Sequence, residues 1–334
     1  WRTGTMASLD ASGSTDNVLP LLPITKPRTL RAVKALTLDT RSVFICSYPK
    51  SGTTWLQFVL YTLCTKGKRE LDHISSYCPF LENDKIFDFP PPAESADETV
   101  SVPLASPFKE GHEAIGWQIF NTHLWWEMLP KSQESDGRYI YVVREPHDVA
   151  WSFFQHLSHQ APEDGGFEGD WPQFLYQWCA GEIAFGKWAA HIQSYMQSEA
   201  LSGASSLRDA ARDPRILVLS YDEMKRDIGK VCQRIVAHCG IEITEAEIEE
   251  CLPLFDVTYM KENNEKFAPR SVEWVDRSDG FTFIRKGRSG DSRSAFRTDG
   301  CEALMTAMLE NSFPEGHPRY LQQILGVTSP SESS

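Results

Sequence analysis

The chain has 334 residues, 33 Lys and Arg against 46 Asp and Glu, and a formal charge of −13 with His neutral. Hydrophobic content of 41%, charged content of 24% and ten Trp are values of a folded chain with a sizeable core, which excludes a disordered or fibrous protein. The acidic balance excludes a general affinity for nucleic acid or anionic lipid, and no stretch approaches the roughly 18 uncharged apolar residues of a membrane span. Any anionic ligand must therefore be held by a local cluster of positive charge.

Residues 1–19 are expected to be disordered, with Trp1–Thr5 ahead of Met6 an appendage, and residues 328–334 a frayed tail. Between them, 20–327 reads as one α/β domain. Arg41–Ser47 is a short apolar strand closed by Tyr48-Pro49, and a helix follows from Thr53 to Leu63. Phe89–Glu98 is proline-rich and acidic and reads as a surface loop, as does Ala161–Asp170. Ala114–Thr122 is predicted to be a strand. Arg138–Val143 is another, followed by Asp148 as the N-cap of a helix through Leu157. Arg215–Ser220 is a further strand, and a helix from about Glu223 to Cys239 ends at Gly240. Alternating apolar strands and helices predict a central parallel β-sheet flanked by helices. The eight Cys form no C-x-x-C pair and several lie in apolar runs, so they are expected to be free thiols in a reducing, cytoplasmic compartment. The start carries no secretory signal, and no cluster has metal-ligand spacing.

The segment Tyr48-Pro49-Lys50-Ser51-Gly52-Thr53-Thr54-Trp55 joins the first strand to its helix. Such a turn gathers backbone N–H groups and the positive end of a helix dipole at one point. Gly52 permits close approach, Lys50 supplies full charge, and Ser51, Thr53 and Thr54 supply hydroxyl donors. This is a phosphate-binding, P-loop-like turn, but its Lys precedes the Gly, unlike a Walker A loop.

The segment resembles the Y-P-K-S-G-T-T-W donor loop of the cytosolic sulfotransferases. Three more segments match in order: Tyr141–Ser152, with Arg144 and Ser152 eight apart; Tyr221–Lys225, resembling Y-E-D-M-K; and Phe283–Asp291, resembling F-x-R-K-G-x-x-G-D. A helical stretch from Trp171 to His191 also follows the family pattern. The resemblance implies the donor 3′-phosphoadenosine 5′-phosphosulfate (PAPS), leaving its desulfated product PAP, and no metal. By it, Lys50, Ser51, Gly52, Thr53 and Thr54 hold the 5′-phosphosulfate, and Arg144, Ser152, Arg285, Lys286 and Gly287 the 3′-phosphate. Trp55 stacks on the adenine and Tyr221 touches its edge. The sulfuryl group passes to a hydroxyl or amine of a small-molecule acceptor. The implied catalytic residues are His123, Lys50 and Ser152, with His123 as base in a segment resembling K-T-H-L.

The sequence departs from the family at several places. Asn121 replaces a Lys two residues before His123, Val257 stands where an aromatic often flanks the adenine, and Ser292-Arg293-Ser294 replaces Trp-Lys-Asn. The C-terminal dimerisation motif is absent, leaving the oligomeric state open. Phe80 matches a pocket aromatic, His156 stands where many members have Phe, and Trp125 follows His123; with Asn121 these are the candidate acceptor-pocket residues. The alternatives are a PAPS- or PAP-binding protein with weak or no activity, and a P-loop kinase-like phosphotransferase, which would need a Gly-Lys-Ser/Thr loop and an acidic magnesium ligand.

Overall fold

The computed structural model describes residues 19–90, 102–131, 136–196, 211–285, 287, 289–316, 318 and 321–322. The expectations for residues 1–18, most of the Phe89–Glu98 loop, Lys286 and the tail lie outside them.

In chain order the elements are α1 (Pro27–Lys34), β1 (Ser42–Ser47), α2 (Thr53–Thr65), α3 (Ile74–Tyr77), α4 (Ser106–Ile115), β2 (Gln118–Thr122), β3 (Arg138–Val143), α5 (Pro146–Leu157), α6 (Trp171–Ala180) and α7 (Trp188–Tyr195). There follow β4 (Ile216–Ser220), α8 (Tyr221–Arg226), α9 (Ile228–Cys239), α10 (Glu245–Cys251), α11 (Val257–Glu262) and α12 (Cys301–Ser312). The four strands form one parallel sheet in the order β2-β1-β3-β4. Every residue of β1 is buried, as expected of a central strand covered on both faces.

Strand alternation divides the interior into two layers. Val43, Ile45, Ile140, Val142, Leu217 and Leu219 face α2 and α9. Phe44, Cys46, Tyr139, Tyr141 and Val218 face α5, α6, α7 and α12. On that second face the register sets Phe44 beside both Phe120 and Tyr139, and its ring stacks on theirs at 5.2 and 5.1 Å.

Four expectations change in the structure. Ala114 and Ile115 belong to α4, and Gly116 (φ +70°) turns the chain before β2 begins at Gln118. The N-cap of α5 is Glu145, whose carboxylate accepts from the N–H groups of His147 and Asp148, with Pro146 at the first helical position. The helix drawn from Glu223 to Cys239 is two helices, because Asp227 leaves helical geometry and caps α9 by accepting from Lys230 N. The Trp171–His191 stretch is also broken: Gly181 takes φ +84°, a conformation that ends α6, and α7 starts anew at Trp188. Gly240 ends α9 as expected. Ala161–Asp170 is irregular apart from a single 3₁₀ turn at Pro162–Asp164.

Candidate active site

The chain runs from β1 outward to β2, then crosses back to β3 on the other side of β1. Strand order reverses at that point, and a crevice opens beyond the carboxyl ends of the strands. The Tyr48–Gly52 turn leaves the end of β1, His123 follows β2, Arg144 follows β3 and Tyr221 follows β4. Four strand ends thus deliver three of the four motifs, and His123, to one place. They border a cavity of about 1090 Å³, room for a nucleotide and a second small molecule.

Two left-handed residues, Lys50 (φ +67°) and Gly52 (φ +102°), bend the turn tightly into α2. A Cβ at Gly52 would lie 2.7 Å from the Tyr221 ring, so the close approach of loop and ring requires glycine. Ser47 Oγ and Thr53 Oγ1 are 2.6 Å apart, tying the strand end to the helix start. Arg144 braces the turn: Nη1 donates to Lys50 O at 3.0 Å, Nη2 reaches Asp148 Oδ2 at 3.4 Å, and the guanidinium lies 4.4 Å from the Tyr221 ring centre.

Asp148 is 3% exposed, and its carboxylate accepts from Gly290 N (2.8 Å), Ser292 N (3.2 Å) and Ser292 Oγ (2.9 Å). It therefore hooks α5 to the segment that brings Arg285 and Gly287 to the cavity. Removing this hook should free the segment. In Asp148→Ala, trypsin should cut at Arg285 or Arg293 about tenfold faster than in the parent; an unchanged digestion rate would show the hook to be dispensable.

Three cations converge here. Arg285 pairs with Asp291 at 3.3 Å, and Arg144 with Asp148. Lys50 has no carboxylate partner among the described residues. Burial, and then the charges of Arg285 and Arg144, lower its pKa to about 7.

His123 Nδ1 lies 2.8 Å from Ser47 O, a carbonyl that can only accept. The ring proton therefore sits on Nδ1, and the Nε2 lone pair is left without a partner among the described residues. Burial, partly opposed by the Ser47 bond and reinforced by Lys50, lowers the pKa of His123 to about 4, so the ring is neutral at neutral pH. Phe80 and Phe185 flank it at 5.5 and 5.3 Å.

Groups that the sequence reading did not single out hold this histidine from behind. Glu82, fully buried, accepts from His123 N at 2.5 Å, and burial pushes its own pKa up to about 8. His191 on α7 donates from Nε2 to His123 O at 3.0 Å and accepts from Tyr141 OH at Nδ1. Tyr195 OH donates to Leu124 O at 2.6 Å. Only fold-level contacts identify these residues.

Of the residues expected at the site, Lys50, Gly52, Thr53, Thr54, Trp55, Phe80, Asn121, His123, Arg144, Ser152, His156, Tyr221, Arg285 and Gly287 line the cavity. Ser51 does not; it is buried, and its Oγ has no hydrogen-bond partner among the described residues. Trp125 stands outside the lining too, donating its indole N–H to Phe185 O at 3.1 Å. Asn121 donates its amide to Cys78 O at 2.6 Å, which takes up a donor that the cavity would otherwise receive. Val257 packs where a Cβ at Gly287 would meet it at 2.8 Å.

A family model for the sulfotransferase domain matches residues 40–311. The chain belongs to the sulfotransferase family. Sulfotransferase 1E1 of Cavia porcellus is 28% identical over 304 residues, 89% of this chain and 87% of that protein. Sulfotransferase 1 family member D1 of Mus musculus is 30% identical over 261 residues, 76% of this chain and 77% of that one. The crystal structure of mouse sulfotransferase SULT7A1 complexed with PAP matches with a TM-score of 0.63 at 23% identity, over 89% of this chain and 92% of that one, a likeness of fold. This sulfotransferase has no helix among the described residues long and apolar enough to cross a membrane. Nor do its described residues contain a group of three or more His, Cys, Asp or Glu that could hold a metal ion.

Proposed function

We propose that this sulfotransferase uses PAPS and transfers its sulfuryl group to a hydroxyl or amine of a small-molecule acceptor, with His123 as general base and Lys50 stabilising the leaving phosphate. One observation carries the reading: an imidazole with an unpartnered Nε2 lone pair shares a cavity with a cation at a helix N-terminus. The donor set suits an anionic nucleotide, since Lys50, Arg144 and Arg285 concentrate positive charge in an otherwise acidic molecule. The PAP in the mouse relative of the same fold supports the same ligand class.

In this reading His123 Nε2 takes the acceptor proton as the acceptor oxygen or nitrogen bonds to sulfur. The bond from sulfur to the bridging phosphate oxygen breaks, and its electron pair stays on that oxygen. Lys50 meets the charge that develops there, an interaction stronger in the transition state than before it. Gly52, Thr53 and Thr54 orient the 5′ end, and Ser152 lines the cavity from α5. Arg144, Ser152, Arg285, Gly287 and, by resemblance, Lys286 bind the 3′-phosphate. Trp55, its indole fixed by donation to Phe255 O at 2.9 Å, and Tyr221 flank the base.

Phe80, Asn121 and His156 face the acceptor end; Trp125 is set aside from that group. The aromatic lining there supports an uncharged, apolar acceptor. All eight cysteines are free thiols, six of them buried, which supports a cytoplasmic location.

Radiolabelled PAPS offered with a panel of phenols, alcohols and amines should yield labelled product. No transfer to any acceptor, together with no binding of PAP, would overturn the reading, and preference for ATP would overturn the donor.

A further inference from the structure

Beyond lining the acceptor end, one cavity residue reaches Lys50. His156, near the end of α5, places Nδ1 at 3.4 Å from Lys50 Nζ. An ammonium has only protons to offer, so the imidazole nitrogen must accept, and the proton of His156 must sit on Nε2. The same ammonium lies 4.6 Å from the centre of the Phe283 ring, which itself packs against His156. Both partners of the Lys50 head group are therefore neutral.

We propose that His156 is a positioning residue for Lys50: its lone pair holds the ammonium charged and aimed into the cavity until the donor's anionic groups replace it. The inference deepens the reading above and rests on it for the chemical role of Lys50.

The surroundings explain why this task falls to an imidazole. Among the described residues, the charged groups nearest Lys50 are paired: Arg144 after β3 with Asp148 of α5, and Arg285 with Asp291. A carboxylate at this point would bind Lys50 strongly and compete with an anionic donor. A Phe, as many relatives carry at this position, would offer no acceptor at the ring edge. Neutral His156 lies between, binding enough to orient and weakly enough to yield.

His156 is kept neutral by its setting. It packs against Trp274 (5.2 Å), Phe283 (5.8 Å) and Phe153 (6.5 Å). Burial, then the charges of Lys50, His123 and His159, depress its pKa well below 6.5. His159, just past the end of α5, is itself bonded to Asp279 at 2.8 Å.

Removing the acceptor favours neutral Lys50, so its pKa must fall. The test titrates free protein carrying isotope-labelled lysine, with the Lys50 side-chain NMR signal assigned by its loss in Lys50→Met. In the parent the midpoint should lie near 7. In His156→Phe it should drop by about half a unit to one unit, and in His156→Gln, whose amide oxygen accepts a hydrogen bond, it should return to within about 0.3 unit. PAP affinity at pH 7.5 should fall about threefold to eightfold in His156→Phe and recover in His156→Gln.

A midpoint in His156→Phe within about 0.2 unit of the parent overturns the inference, as does a Gln variant that titrates like the Phe variant. Because the titration needs no nucleotide, its failure is separable from that of the donor reading. A shifted midpoint with no PAP binding in the parent overturns the donor reading alone.

Discussion

His123→Ala should lower sulfuryl transfer by about 10²- to 10⁴-fold, the range expected for loss of a general base. PAP affinity should change by less than about threefold, because the hydrogen bonds of the ring to this region go to Ser47 alone, at O and Oγ. The two readouts separate chemistry from binding. His123→Ala removes the lone pair facing the cavity, whereas Lys50, Arg144 and Arg285 keep their places. A parallel fall in transfer and PAP affinity would instead make His123 a structural support of the turn. Transfer equal to the parent's would remove it from the proposed mechanism. The pH dependence carries a further sign. With its pKa lowered to about 4, His123 is a neutral base in the free protein down to mildly acidic pH. The alkaline side of the donor kcat/KM profile should instead follow the loss of the Lys50 proton, near pH 7.

The protein should lose stability steeply as pH falls below 6.5. His112 and His123 are lowered to about 4 by burial, His191 to about 3, and His156 well below its ordinary value. Between those values and 6.5, the unfolded chain binds protons that the folded chain refuses. Stability therefore rises with pH through this window and is lost on acidification. Glu82 acts in the opposite sense between 4.5 and about 8, since its raised pKa makes the folded state the better proton binder. His147 is raised, against its burial, by Glu145 and Glu302, and contributes only above 6.5. Four histidines against one carboxylate leave about three protons net, a slope of about 4 kcal/mol per pH unit near pH 5.5, and His73, lowered by burial, adds in the same sense. Urea unfolding at pH 7, 6 and 5 measures it.

His112→Gln isolates one contribution away from the cavity, where His112 Nε2 donates to Ile119 O at 3.0 Å. The slope should fall by about 1.4 kcal/mol per unit. An unchanged slope would mean that His112 is protonated in the folded state.

The central strands were readable because a buried parallel strand is a short, uninterrupted apolar run, and Ser42–Ser47, Arg138–Val143 and Ile216–Ser220 are such runs. The Tyr48–Trp55 turn was readable because Gly, Lys and hydroxyl residues at a strand-to-helix junction have one main chemical use. The start of β2 was obscured because Ile115 and Trp117 extend its apolar pattern back into α4, and only Gly116 marks the break. Asp148 looked like a local cap. Its carboxylate instead bonds groups 142 and 144 residues away, a pairing no local pattern encodes. Glu82 and His191 were invisible for the same reason: each meets His123 through backbone atoms, and any polar side chain in a buried run would have looked alike. The departure at Asn121 was visible, but its reach to Cys78 O was not.

The bond from His123 Nδ1 to Ser47 O joins the ends of two adjacent strands whose register pairs Cys46 with Thr122. The separation between the proposed base and the donor turn is thus inherited from the sheet. Phe281 and Phe283, by contrast, come from a connecting segment that no strand pairing holds. Such a molecule divides its heritable parts: substitutions in the connections alter what is admitted, and the distance over which the bond is made stays constant.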